Sequence, residues 1–157
     1  MHTAVMAEVA GADALVMAAA VANYRPEQVA TQKIAHEDQA WSVRLVPTVD
    51  ILADVAAWRS REGRTSPLLV GFAAETHDVV ARAKAKRERK GIDVIIANDV
   101  SQPDAGFDVD VNAVTILGAA DDEHVPRASK GAIASVLADR LARWLSERQL
   151  AAEGTRA

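Results

Sequence analysis

Six basic residues crowd positions 82–90, in the stretch ARAKAKRERK. Arg82, Lys86 and Lys90 recur every four residues and so share one face of a helix, whereas Lys84, Arg87 and Arg89 fall elsewhere around it. A row of cations at that spacing can clamp phosphate oxygens through charge-assisted hydrogen bonds. It can equally complement the macrodipole near a helix C-terminus and act as solvated cover. Spacing alone leaves both readings open. Lys33 lies in a long connection, where an ammonium on a flexible stem can close over a phosphate as a point charge; a lone loop lysine is usually just solvated. His2, His36, His77 and His124 are scattered without metal-ligand spacing. Asp104, Asp108 and Asp110 could touch a cation, but they sit in a turn-rich loop where turn and solubility roles serve as well. No protein metal site is expected. The absence of GxGxxG, Walker A and GxSxG patterns counts against complete dinucleotide-binding, P-loop and hydrolase units.

The elements that must position these groups alternate along the chain. Residues 14–21 (ALVMAAAV), 67–72 (PLLVGF) and 93–97 (DVIIA) are apolar on both parities, as strands buried on both faces of a parallel sheet are. Residues 112–118 (NAVTILG) alternate better and fit an edge strand. Thr48 can cap a helix whose inward face is Ile51, Leu52, Val55 and Trp58. A second helix spans about 77–90 and stops at Gly91. A third spans about 130–150, with Ile133, Val136, Leu137, Leu141, Trp144 and Leu145 on one stripe and a frayed tail over 151–157. Strand–helix–strand order predicts an α/β fold, Rossmann-like, with an open, mainly parallel sheet flanked by helices. Residues 23–47 and 99–111 form connections long enough to be functional. Open α/β sheets bind ligands beyond the carboxyl ends of their strands, where Asn23, Glu75 and Asn98 fall.

The 157 residues fit one domain; half are hydrophobic, a quarter are charged, and the formal net charge is −4. That balance argues against a nucleic-acid partner. There is no cysteine, which removes disulfides, thiolate zinc sites and a cysteine nucleophile, and which suits a cytoplasmic protein. The longest apolar stretch, 14–22, is too short to span a bilayer, and the acidic start lacks the basic segment of a signal peptide. No membrane association is expected.

The stretches MAAAVANYRPEQVATQKI, VDIL, GFAAET and AKAKRERKGIDVIIANDVSQPDAGFDVDVNAVTIL, followed by the SK that opens the last helix, resemble phosphopantothenate–cysteine ligase. This is the synthetase half of the bifunctional flavoprotein of coenzyme A biosynthesis, and the likeness runs in order from about residue 3 to 145. The resemblance implies an enzyme that activates the carboxylate of 4′-phosphopantothenate with CTP and Mg²⁺, giving an acyl-cytidylate, which the cysteine amine converts to the amide. It also implies a homodimer, and a parent protein whose flavin decarboxylase domain lies elsewhere, so that no flavin is expected on this portion. Carried over by position, its nucleotide contacts fall on Ala19, Asn23, Lys33, Val49, Asp50, Ile51, Leu52, Phe72, Lys86 and Lys90, with Lys33 as the catalytic residue on a lid.

Three positions depart from the family pattern. Asn23 stands where an aspartate is usual, KIAH replaces a lysine-rich KIKK, and Val49 replaces the proline of an NPDI-type turn. The glycine-rich strand–turn and the asparagine/serine-rich loop that open the family's nucleotide fold have no counterpart here. Residues 1–150 are therefore expected to match the C-terminal portion of the synthetase, with 151–157 a tail. The alternative expectation is a truncated or degenerate paralogue that binds a nucleotide without ligating.

Overall fold

The computed structural model describes residues 1–35, 40–101, 110–118 and 121–154. Its centre is a five-stranded sheet in the order β1-β4-β5-β6-β7. β1 (Ala14–Met17) lies parallel to β4 (Leu68–Glu75), and β4 lies parallel to β5 (Val94–Asp99). β6 (Val111–Leu117) runs antiparallel to β5, and β7 (Asp122–Ser129) antiparallel to β6, so four of the five strands point one way. A separate antiparallel pair joins β2 (Tyr24–Pro26) to β3 (Leu45–Pro47).

Helices cover both faces of the sheet. On one side α1 (His2–Glu8), α2 (Ile51–Arg61) and α3 (Val79–Lys90) bury a core around Val55, Leu69, Ala83, Ile95 and Leu117, each fully or almost fully enclosed. On the other, α4 (Lys130–Gly154) lays Val136, Leu137, Leu141, Trp144 and Leu145 against Val70, Ile96 and Ile116, with Ile133 buried among them. The α/β expectation and the helical stripes are those read from the sequence. β4 and β5 explain why: their burial on both faces demands apolar residues of both parities.

The differences have local causes. β6 is an inner strand, because β7 occupies the edge beyond it. β7 reads DEHVPRAS, mostly exposed and with a proline, a composition that only an edge strand tolerates and that carries little periodic signal. β2 and β3 fall inside what the sequence presents as one connection; five of their six residues are exposed and the sixth, Val46, half-buried, so no apolar alternation marks them. α2 is capped by Asp50, whose side chain accepts the Ala53 amide at 3.2 Å, and not by Thr48. Thr48 instead donates its hydroxyl to the Ala22 carbonyl at 2.5 Å, and its amide to the Asn23 carbonyl at 2.9 Å. α4 continues to Gly154, past the predicted end near residue 150. α3 ends at Gly91, whose left-handed φ of 65° suits a residue without Cβ.

Gly71, inside β4, is needed for space. A Cβ there would meet Ile92 Cδ1 and Leu52 Cδ2, both at 2.9 Å. Both atoms are ends of flexible side chains, so the clash is relieved by repacking. Gly71→Ala is expected to cost about 1–3 kcal/mol of unfolding free energy, the range for an extra methyl in a packed core. Denaturant unfolding measures this, and an unchanged midpoint would mean that α2 and the Ile92 turn yield freely.

Candidate functional site

Beyond the carboxyl ends of β1 and β4 the chain leaves a cleft of about 470 Å³. Residues 19–24, following β1, make one wall, and residues 47–52 at the entry to α2 make a second. Gly71, Phe72, Ala73 and Ala74 of β4 form the floor, and Lys86, Arg89 and Lys90 of α3 form the remaining wall. The two hydrogen bonds from Thr48 tie the first two walls together at Ala22 and Asn23.

Ala19, Asn23, Val49, Asp50, Ile51, Leu52, Phe72, Lys86 and Lys90 all line this cleft. Lys33 does not; it is exposed on the connection between β2 and β3. His36, Asp104 and Asp108 lie outside the described residues. The cations of α3 that line the cleft differ by one from the row drawn by four-residue spacing. Arg82 and Lys86 meet on one carboxylate, Glu75, as residues four apart on a shared face can, but Arg82 does not line the cleft, where Arg89 joins Lys86 and Lys90. The sequence held that signal, since residues three apart share a helix face as well as residues four apart.

Carboxylates hold the lysines in place. Lys86 Nζ donates to Glu75 Oε1 at 2.5 Å and Arg82 Nε donates to Glu75 Oε2 at 2.8 Å. The Glu75 side chain is only 5% exposed. Burial pushes its carboxyl up, but the hydrogen bonds and charges of Lys86 and Arg82 outweigh that and hold it below the ordinary glutamate value. Lys90 Nζ pairs with Asp50 at 2.9 Å, and Asp50 is 47% exposed. Partial burial of Asp50 likewise raises its carboxyl, while Lys90, the Ala53 amide and Arg89 bring it below the usual value. The wall is thus a set of pre-oriented cations, one of them anchored by a buried acid and one latched to a more exposed acid. Such an arrangement suits oxyanions that arrive with several negative oxygens.

Among the described residues, no three His, Cys, Asp or Glu side chains converge as metal ligands, and no helix is long and apolar enough to cross a membrane.

The family model for the DNA/pantothenate metabolism flavoprotein C-terminal domain matches residues 1–145. Coenzyme A biosynthesis bifunctional protein CoaBC of Vibrio cholerae is 41% identical over 139 residues, covering 87% of this chain and 34% of that protein. The Escherichia coli K12 protein of the same name is 38% identical over 151 residues, covering 94% and 36%. The chain therefore spans about a third of the length of these curated relatives. A crystal structure of the C-terminal domain of CoaBC superposes with a TM-score of 0.70 at 28% identity, covering 93% of this chain and 61% of that one. The DNA/pantothenate metabolism flavoprotein from Streptococcus pneumoniae shares the fold, with a TM-score of 0.59 at 22% identity over 80% of this chain and 60% of the other. With its family model running from the first residue through most of α4, the chain belongs to the DNA/pantothenate metabolism flavoprotein C-terminal domain family.

Proposed function

We propose that this chain carries the nucleotide-activating cleft of a ligase that joins cysteine to 4′-phosphopantothenate in coenzyme A biosynthesis, with CTP as the activating nucleotide. The observation that supports this most is the wall of Lys86, Arg89 and Lys90 facing the strand-end floor of one cleft. In the reaction, a carboxylate oxygen attacks the α-phosphorus of CTP and pyrophosphate leaves, forming the acyl-cytidylate. The cysteine amine then attacks the acyl carbonyl; the C–N bond forms, the C–O bond to the phosphate breaks, and CMP departs with the proton. Such transfers need charge placed on phosphate oxygens more than covalent help from the protein. Lys86, Arg89 and Lys90 would supply that charge, and Asn23, with its carboxamide at the cleft wall, would offer both a donor and an acceptor.

Mg²⁺ fits as part of the substrate. Asp50 and Glu75, the carboxylates paired to the cleft lysines, are committed to cations, and no cluster of donors among the described residues forms a protein site. In this reading the metal rides on the triphosphate.

Calorimetric titration with CTP and Mg²⁺, set against ATP, tests the proposal. Saturable CTP binding with weaker ATP binding is expected, and a chain that takes up neither nucleotide would remove the reading. A nucleotide-binding relative without ligase activity is the second reading, favoured by Asn23 and by the position of Lys33 outside the cleft. Pyrophosphate release without amide formation, or neither despite binding, would decide for it.

Lys33 can contribute only if its connection closes over bound nucleotide. Val29 and Ile34 on that connection are 82% and 54% exposed, so little burial fixes it. Amides of residues 28–35 are expected to exchange rapidly in the free protein and to slow with CTP. Protection already high without ligand, or unaltered by it, would dismiss the lid.

A further inference from the structure

Residues 19–24, the cleft wall that follows β1, are all exposed, so burial does not fix their conformation. The wall at the entry to α2 is different. Ile51 and Leu52 are 5% and 4% exposed, and Asp50 caps the helix that they begin. Thr48 lies just before that cap and reaches from the fixed wall to the exposed one.

A peptide unit is planar, so the backbone of a residue is set once the two planes that flank its Cα are oriented. For Asn23 those planes carry the Ala22 carbonyl and the Asn23 carbonyl. Thr48 holds both: its hydroxyl donates to the Ala22 carbonyl at 2.5 Å, and its amide donates to the Asn23 carbonyl at 2.9 Å. The amide bond extends the β2–β3 ladder one step past the Tyr24–Pro47 pair, and any residue but proline could supply it. The hydroxyl bond depends on the side chain of Thr48. With both planes gripped, φ and ψ of Asn23 are defined, and with them the direction of its Cα–Cβ bond. Asn23 lines the cleft. Its carboxamide presents a donor at one end and an acceptor at the other, so its use to a ligand depends on how it is aimed.

We infer that Thr48 is a positioning residue of the nucleotide cleft and acts through Asn23: its hydroxyl orients the 22–23 peptide and so aims the Asn23 carboxamide at the bound nucleotide. The inference rests on the nucleotide reading above. Ordering the exposed wall before the ligand arrives removes part of the cost of binding. A hydroxyl that touched the nucleotide itself, or that only braced the base of the β2–β3 pair, would act without Asn23, and this separates the roles.

A double-mutant cycle on the full 157-residue chain tests this, with CTP and Mg²⁺ as the probe in calorimetry. Thr48→Val keeps the side-chain shape and the backbone amide and removes the hydroxyl. It is expected to weaken CTP by about three- to tenfold, the scale of one hydrogen bond, and Thr48→Ser is expected to restore the affinity. Asn23→Ala leaves Lys86, Arg89 and Lys90 to bind CTP, and in that background Thr48→Val should change affinity by less than about twofold. A readout without ligand is the Asn23 backbone N–H, which lies in the 22–23 peptide plane. Its NMR order parameter should stay near the ~0.85 of rigid backbone in the wild type and in Thr48→Ser, and fall below ~0.6 in Thr48→Val. The same loss of CTP affinity with and without Asn23, an equal loss in Thr48→Ser, or an order parameter unaltered in Thr48→Val would overturn the inference. Wild-type CTP binding with an additive cycle sinks the positioning role alone, whereas a wild-type chain silent toward CTP sinks the nucleotide reading and this inference with it.

Discussion

Asp93→Ala is expected to lower the unfolding free energy by about 3 kcal/mol, the low end of the range for removing one partner of a buried ion pair. The carboxylate sits where the start of β5 meets α2, β4 and α4. Arg59 donates to it at 2.5 and 3.3 Å, Arg148 pairs with it at 2.7 Å, and the Leu69 amide donates at 2.7 Å. The side chains of Arg59 and Asp93 are only 13% and 21% exposed, so alanine leaves a guanidinium and a β4 amide short of an acceptor away from water. Arg148, at 36% exposure, recovers more of its hydration, which keeps the expected loss at the low end. Burial raises the Asp93 carboxyl, but Arg59, the Leu69 amide and Arg148 together hold it below the ordinary aspartate value. Its folded value therefore lies below the unfolded one. The stabilisation is complete above the unfolded value, near 4, and disappears as pH falls through the lower folded value. Urea unfolding from neutral to acid pH should show wild-type stability falling across that window, and a flatter curve for Asp93→Asn. A loss under about 1 kcal/mol for alanine would reduce the cluster to an ordinary surface pair.

Lys86→Ala combined with Lys90→Ala is expected to weaken CTP binding by roughly 2–4 kcal/mol, as two charge-assisted contacts contribute. The structure separates the two lysines in a way their spacing does not. Removing Lys90 frees Asp50, which is half in solvent and keeps its cap on α2, so stability should hold while affinity falls. Removing Lys86 leaves the buried Glu75 with Arg82 alone, so that variant should also lose about 1–2 kcal/mol of stability. Arg82→Ala should reproduce the stability loss with CTP affinity retained, because Arg82 does not line the cleft. Calorimetry and denaturant unfolding on the three single variants read the two effects independently. Unaltered CTP affinity in the double variant would return the basic face to solvent cover.

The sequence by itself determined the elements whose burial forces a pattern. β4 and β5 are enclosed on both sides and must be apolar on both parities, and α4 must carry its stripe of Ile133, Val136, Leu137, Leu141, Trp144 and Leu145 at helical spacing. Gly91 marked the end of α3 because a left-handed residue there favours glycine. Elements that bury little left no such mark, which is why β2, β3 and β7 required the fold to reveal them. The motifs pointed to Ala19, Asn23, residues 49–52, Phe72, Lys86 and Lys90 of the cleft lining, yet nothing local could say that residues 19–23, 49–52 and 86–90 meet, since sheet pairing of β1 with β4 and packing of α3 bring them together. Tertiary structure alone decided that Lys86 is anchored by Glu75, that Lys90 is latched to Asp50, and that Arg89 replaces Arg82 on the cleft wall. The physical reason is range. Hydrophobic period and turn chemistry act over a few residues, whereas the partner of a charge is chosen by whichever opposite charge the folded chain brings within hydrogen-bond reach.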